Sequence, residues 1–213
     1  MDVQQKAEIV KYARNIIVRN GVKSLKMDDV AQATHTSKRT LYETFGDKEE
    51  LMFIAVKEHF DEFEINNAKT AKSAPNILIA MLIVMEEIRK NAEVNWQIRL
   101  ALRNHYPKVS ERLWNDKADE KRKVVALSLR AGIKQGYINN NINIDLTMNM
   151  FSYIAIGISE YNEMIDIPKD INIEDAFQEV LINYMRGIST IKGVKAIDDY
   201  IENRQKTNNK LKN

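Results

Sequence analysis

Three cations stand just inside two adjacent helix starts, Lys38 and Arg39 after Ser37, and Lys48 after Asp47. The unpaired N–H groups of a helix N-terminus carry partial positive charge, so Lys and Arg in the first turn are normally disfavoured. A bound anion resolves the conflict, because free backbone N–H groups and nearby cations together form a phosphate site. Thr40 and Tyr42 place neutral hydroxyls in the same stretch. Lys, Arg, Ser, Thr and Tyr are the residue types that contact a DNA backbone. The plainer alternative is that surface lysines simply fall there.

Spacing supplies a second signal. Ala31 is small, where two helices could cross closely; His35 lies four residues on, in a turn; Leu41 lies six beyond that and is apolar. This is the small–turn–apolar pattern of a helix-turn-helix. In that geometry a second helix over about Lys38–Thr44 lies in the major groove with its first residues nearest the bases. Lys38 and Arg39 are then the base readers, and an Arg can pair bidentately with guanine O6 and N7.

The elements that must position these residues are also written locally. Ile9, Tyr12, Ala13, Ile16 and Ile17 make one apolar stripe of a helix over about residues 4–19, and Asn20-Gly21 stops it. Met27, Val30 and Ala31 begin a second short helix, with Asp28 and Asp29 in its first turn. Ser37 opens a third, with Leu41, Tyr42 and Phe45 on one side. Gly46 ends it, and Asp47-Lys48-Glu49-Glu50 reads as a capping-box variant at the head of a helix running to about Lys69. Further helices are predicted from Pro75, over Trp96–Arg103, from about Val109 to Gln135, over Leu146–Met164 after Asp145, and from Ile173 to about Thr190. Residues after Glu202 are polar and basic and read as a solvated tail.

Composition agrees with an all-α chain. Of 213 residues, 44% are hydrophobic and 29% charged, with only 7 Gly and 3 Pro, so long helices are favoured over a turn-rich β-protein. The absence of Cys excludes disulfides, thiolate metal sites and cysteine nucleophiles. The longest apolar run, Ile77–Met85, is too short to span a bilayer, and no signal peptide is visible, so a cytoplasmic location without membrane association is expected. A net charge of +2 hints only weakly at a polyanionic partner, which leaves the DNA case to local charge placement. The three His, at 35, 59 and 105, have no metal spacing, and no phosphate loop or nucleophile elbow is present, so neither an enzyme nor a cofactor is expected. The cluster Glu58-His59-Asp61-Glu62 reads as a solvated face rather than a metal site.

At this point the chain resembles the TetR family of transcriptional regulators. Residues Met27 to Leu51, MDDVAQATHTSKRTLYETFGDKEEL, follow the family's DNA-binding signature in order and spacing, with Val30-Ala31, Ser37, Thr40-Leu41-Tyr42, Phe45, Lys48 and Glu50-Leu51 on signature positions and Gly21 upstream. The resemblance implies a homodimer that binds double-stranded operator DNA through Lys26, Met27, His35, Thr36, Ser37, Lys38, Arg39, Thr40, Tyr42 and Lys48. Of these, Thr40, Tyr42 and Lys48 would grip phosphates. The sequence departs from the family where the usual turn Gly is His35, where a small residue is Arg39, and where a capping hydroxyl is Lys26.

The same resemblance implies a three-helix DNA-binding domain over 1–46 and a ligand-binding and dimerisation bundle of about six or seven helices over 47–202, with 203–213 as a polar tail. Dimerisation has support of its own, because the segment Ile144–Ile165 is apolar on more than one face and must be buried on more than one. Met148, Phe151, Ile154, Ala155 and Ile158, with Phe177, Val180, Leu181, Tyr184 and Ile188 of the last long helix, are the expected interface, a four-helix arrangement between two copies. The monomer-core alternative stays open. A small apolar or amphipathic ligand would be lined by Met81, Met85, Trp96, Tyr106, Trp114 and Tyr153, adaptable apolar side chains that are also ordinary core residues. The expected function is a repressor-type switch released by that ligand; the alternative is a non-inducible nucleoid or cell-division factor whose bundle binds a protein.

Overall fold

A computed structural model describes residues 1–151 and 173–211, and every described residue in a regular element longer than one turn is α-helical. The helices are α1 (Val3–Asn20), α2 (Met27–Ala33), α3 (Lys38–Phe45), α4 (Lys48–Ala71), α5 (Ile77–Lys90), α6 (Ala92–His105), α7 (Pro107–Lys134), α8 (described over 144–151), α9 (Ile173–Ile188) and α10 (Ile191–Leu211), with a 3₁₀ turn over Val22–Ser24. This is an N-terminal helix-turn-helix domain followed by a larger helical part. No helix among the described residues is long and apolar enough to cross a membrane.

Two compact units form, one from Met1–Asn66 with Asn91–Asp119, the other from Asn67–Lys90 with Glu120–Asn213. The first therefore takes in much of α4, all of α6 and the start of α7 besides residues 1–46. Three short helices bury too little apolar surface to close a core by themselves. Here Ile9, Ala13 and Ile17 of α1, Val30 of α2 and Leu41 of α3 share one core with Leu51, Met52 and Ala55 of α4 and Leu102 of α6. The second unit has its own core around Leu78, Leu82, Leu129, Ile138, Met185 and Ile197.

Local signals account for most helix ends. Asp2 caps α1 by accepting the Gln5 N–H at 2.7 Å, and Gly21 ends it at φ 81, ψ 164, a conformation open essentially to glycine alone. α2 ends through His35, which sits in the left-handed region at φ 51, while the Thr36 N–H reaches back to the Ala31 carbonyl at 2.9 Å. That six-to-one closure is the Schellman arrangement, normally built on Gly or Asn. Asn76, not Pro75, caps α5, accepting the Ile79 N–H at 3.0 Å. Asn143, two residues before the expected Asp145, opens α8 by accepting the Leu146 N–H at 3.0 Å, so Asp145 lies in the first turn.

Beyond Ile188 the structure departs from the sequence reading. α9 stops there, and α10 continues to Leu211 through residues expected to be a tail. The junction is pinned in the second unit by an antiparallel bridge between Ile138 and Ser189, by the Asn139 N–H on the Ile188 carbonyl at 2.9 Å, and by the Thr190 N–H on the Tyr137 carbonyl at 3.0 Å. Arg204 of α10 then pairs with Glu86 of α5. A Cβ at Gly193 would overlap the Tyr137 carbonyl oxygen and come within 2.8 Å of Ser189 Cβ, so only glycine lets α10 start this close.

Two stability outcomes follow from the backbone. His35→Gly removes the left-handed penalty and raises the melting temperature, by an amount equivalent to about 0.5–1 kcal/mol once the extra freedom of glycine in the unfolded chain is discounted. Gly193→Ala forces the α9–α10 junction apart and lowers stability by about 1–3 kcal/mol, with circular dichroism melting as the measure for both.

Candidate nucleic-acid interface

α3 has eight residues, too few for a helix that stands alone in water. It is held by its apolar side, where Leu41 is 0% and Phe45 4% exposed. Its start is capped by Ser37, whose Oγ accepts the Thr40 N–H at 3.0 Å and lies 2.7 Å from Thr40 Oγ1. Its end is fixed by Gly46 at φ 79. With that side buried, Lys38, Arg39 and Tyr42 are exposed. Tyr42, grouped with Leu41 and Phe45 in the sequence reading, is 42% exposed and so departs from their buried side.

Neither predicted base reader stands bare. Lys38 Nζ pairs with Asp28 Oδ1 of α2 at 2.8 Å, across the helix-turn-helix. The hydrogen bond to Asp28, reinforced by attraction between the charges, raises the Lys38 ammonium above the ordinary lysine range. Arg39 Nε donates to Glu43 Oε1 one turn along α3 at 2.7 Å. Each of these cations thus has a carboxylate partner, and both pairs are solvent-exposed and therefore weak.

Among the other predicted contacts, His35, Ser37 and Lys26 are exposed and Thr40 is half-buried. Lys26 occupies the position before α2 with no side-chain cap, consistent with the lost hydroxyl there. Thr36 is half-buried and its hydroxyl is spent inside the fold, donating to the Thr34 carbonyl at 3.1 Å and accepting from Gln5 Nε2 at 3.4 Å. Met27 is a correction. Its side chain is only 5% exposed and belongs to the first core, so this residue can offer DNA its backbone but not its thioether.

Lys48, the third cation, is held differently. Its Nζ donates to Tyr106 Oη at 3.0 Å and lies 5.3 Å from the centre of that ring. Asp47 caps α4 as expected, accepting the Glu50 N–H at 2.8 Å, but Glu50 does not close a capping box. Its carboxylate takes a two-pronged contact from Arg112 of α7, whose Nη2 lies 3.2 Å from Oε1, and the Arg112 guanidinium carbon sits 3.6 Å from the centre of the Phe53 ring. Tyr106 and Arg112 are neighbours of this helix start that local sequence patterns do not mark.

Tyr106, one of the residues expected to line a ligand, is engaged here by Lys48. Trp114 presents its face to Arg99 at 3.9 Å and packs edge-on against Phe60 at 4.9 Å. Burial lowers the Arg99 pKa from its usual value, against the attraction of Glu64. Trp96 is half-buried, with Arg103 at 6.0 Å. These three aromatics belong to the first unit, whereas Met81 and Met85 belong to the second. There, a narrow cleft between Leu82, Met85, Glu86, Arg89, Leu181, Ile182, Tyr200 and Ile201 has room for about one water. Met85 of the expected wall lines it. The Tyr200 hydroxyl donates to Glu86 at 3.3 Å, and burial together with the Glu86 charge raises the Tyr200 pKa. Tyr153 lies outside the described residues.

Several of the residues expected at an interface between two copies pack within the second unit. Leu181 and Ile188 are buried in the second core, Met148 and Tyr184 pack against it, and Phe151 meets the Tyr184 ring edge-on at 5.0 Å. Only Val180 of the described members is exposed, alongside Leu146 and Met150 of α8, which the spacing left out of the interface. A helix apolar on two faces does not reveal by periodicity which face turns inward. Ile154, Ala155 and Ile158, and the side chain of Phe177, lie outside the described residues. The acidic cluster of α4 is less solvated than expected. Glu58 and Glu62 both face Arg14, Lys57 pairs with Asp61 at 2.6 Å, and His59 Nε2 is 2.9 Å from Asn95 Oδ1.

Residues 9–54 match the family model described as bacterial regulatory proteins, tetR family. No curated protein matches the sequence. Among solved structures, a transcriptional regulator of Saccharomonospora viridis in complex with choline is 17% identical, with a TM-score of 0.70 over 89% of this chain and all of that one. A TetR-family regulator of Cytophaga hutchinsonii is 12% identical, with a TM-score of 0.71 over 88% of this chain and 96% of the other. The fatty acid degradation regulator FadR of Bacillus halodurans is 15% identical, with a TM-score of 0.64 over 88% and 97%. At these identities the likeness is one of fold.

The Asp28–Lys38 pair has a testable signature. A raised folded pKa means that its stabilisation is present below the ordinary lysine value and is lost as pH rises through the raised one. In Asp28→Asn the Lys38 ammonium titrates nearer the ordinary value and that alkaline loss disappears, as read by NMR titration of Lys38 and by melting at high pH.

Proposed function

We propose that this chain, which carries a tetR-family DNA-binding domain at residues 9–54 on a transcriptional-regulator fold, is a repressor that binds a palindromic operator as a homodimer and is released by a small molecule. The observation that carries the reading is the agreement between the matched segment and the exposed face of α3. Burial of Leu41 and Phe45 leaves Lys38, Arg39 and Tyr42 outward at the start of the helix expected to enter the major groove. Residues 1–46, joined by Lys48 at the head of α4, are the part that meets DNA, and the remainder of residues 47–202 is the part that dimerises and takes the ligand.

The division of labour among contacts is as follows. Tyr42, Thr40 and Lys48 hold phosphates, while Lys38 and Arg39 read bases after leaving Asp28 and Glu43. His35, Ser37 and Lys26 flank them, with Met27 and Thr36 contributing backbone groups. In a dimer, two such helices fall in successive major grooves about 34–36 Å apart. Val180, Leu146 and Met150 supply exposed apolar surface for pairing of two copies. A ligand that binds one of two dimer states more tightly shifts the population away from the spacing DNA requires. The solved relative with choline supports a small-molecule ligand in general terms.

One observation favours a second reading. Leu146, Met150 and Val180 of the second unit stand exposed, as suits a non-inducible DNA-binding factor whose bundle engages a protein.

Selection of bound sequences from genomic DNA, followed by a screen for compounds that release them, decides between these. A recovered palindrome and a releasing compound support the repressor. A palindrome with no releasing compound favours the second reading, and failure to shift any duplex overturns both. On the recovered duplex, Arg39→Ala flattens the preference at one base position by about 1–3 kcal/mol, and Lys48→Ala lowers the slope of log affinity against log salt by about 0.9.

A further inference from the structure

The cations of the candidate interface are held in two chemically different ways. Lys38 and Arg39 each face a carboxylate. Lys48 instead rests on a neutral phenol, donating to Tyr106 Oη at 3.0 Å with the ring centre 5.3 Å from Nζ. A carboxylate partner offsets the charge that a phosphate would otherwise meet. A phenol orients the ammonium and leaves its charge whole, while using one of its three donors.

The phenol is itself rigidly placed. Tyr106 ends α6, with its N–H on the Leu102 carbonyl at 2.8 Å, and opens α7, with its carbonyl accepting the Ser110 N–H at 3.0 Å. Pro107 follows directly, so Tyr106 is barred from helical backbone and takes φ −139, ψ 60. Leu102 and Val109 on either side are buried in the first core. The first turn of α4 is held a second time by the Arg112 grip on Glu50, two turns into α7. The α6–α7 corner is thus a fixed post against which the Lys48 side chain is set.

We infer that Tyr106 is a positioning residue for DNA binding: it holds the Lys48 ammonium in place, uncompensated, so that a backbone phosphate meets an already ordered cation. The inference rests on the reading of Lys48 as a phosphate contact. A lysine has many rotamers, and a free one gives up that entropy on binding; one already ordered by a hydrogen bond and a ring face gives up less. Tyr106 touches no DNA in this account and acts only through Lys48.

The test is a double-mutant cycle on the full chain, with fluorescence anisotropy on a duplex recovered by selection and a melting curve for each variant. Tyr106→Phe keeps the ring and its packing but loses the hydroxyl. It is expected to bind about fivefold more weakly, with its salt slope and melting temperature unchanged, because Lys48 remains charged and available. Lys48→Ala is expected to lose about 0.9 from the slope, and in that background Tyr106→Phe is expected to have no further effect. Equal loss in both backgrounds makes Tyr106 a structural residue and overturns the inference. Tighter binding by Tyr106→Phe shows a phenol that competes with phosphate, and overturns it too. An unchanged slope in Lys48→Ala removes Lys48 from the phosphates and overturns the inference while leaving the DNA-binding reading intact. Absence of binding by the unaltered chain overturns both together.

Discussion

Burial of Leu41 and Phe45 is the constraint on which the interface depends. An eight-residue helix has little intrinsic stability, so its position and rotation come from the two side chains it places in the first core. Rotation is what matters for recognition. Once Leu41 faces Ile9, Val30 and Leu51 in that core, Lys38, Arg39 and Tyr42 can only face outward. The same core explains why α4 and α6 belong to the compact unit that carries the helix-turn-helix, since they supply the apolar surface that α1 to α3 lack.

Charge is arranged around that face with restraint. Asp28 and Asp29 favour the first turn of α2 through the helix dipole, yet Asp28 also reaches across to Lys38. Glu43 does the same for Arg39 from the next turn. In the absence of a polyanion these pairs keep the cations ordered at little energetic cost. Because they are exposed, they are weak enough to yield to a competing acceptor, whether an anionic phosphate or a neutral base edge. This limits indiscriminate attraction to DNA and suits a protein whose overall charge is only +2.

What could be read from the sequence was what is local in the chain. Gly21 and Gly46 stops, the Ser37 and Asp47 caps and the inward Leu41 and Phe45 all depend on neighbours within about four residues, and all are where their residue types place them. Met27 misleads because the residue just inside a helix start can point either way, and only the core decides. Tyr106 and Arg112 were illegible because their partners lie 58 and 62 residues away, and no short pattern records such a meeting. α10 is a different case. Val194, Ile197 and Ile201 recur at helical spacing, so its signal was present, but the polar composition after Glu202 outweighed it.

The second unit shows why binary patterning stops short of an interface. α9 carries apolar residues around more than half its circumference, and one chain can cover only part of that. Leu181, Met185 and Ile188 went to the unit's own core, where α5 and α10 meet α9, and Tyr184 was claimed by Phe151. Val180, one residue before Leu181, is left outside. Intramolecular packing takes first choice, because α10 is tethered to α9 by two residues and needs no encounter to find it. Any surface for a partner is what remains. Among the described residues, Leu146, Met150 and Val180 are apolar side chains of this unit that its own packing leaves exposed.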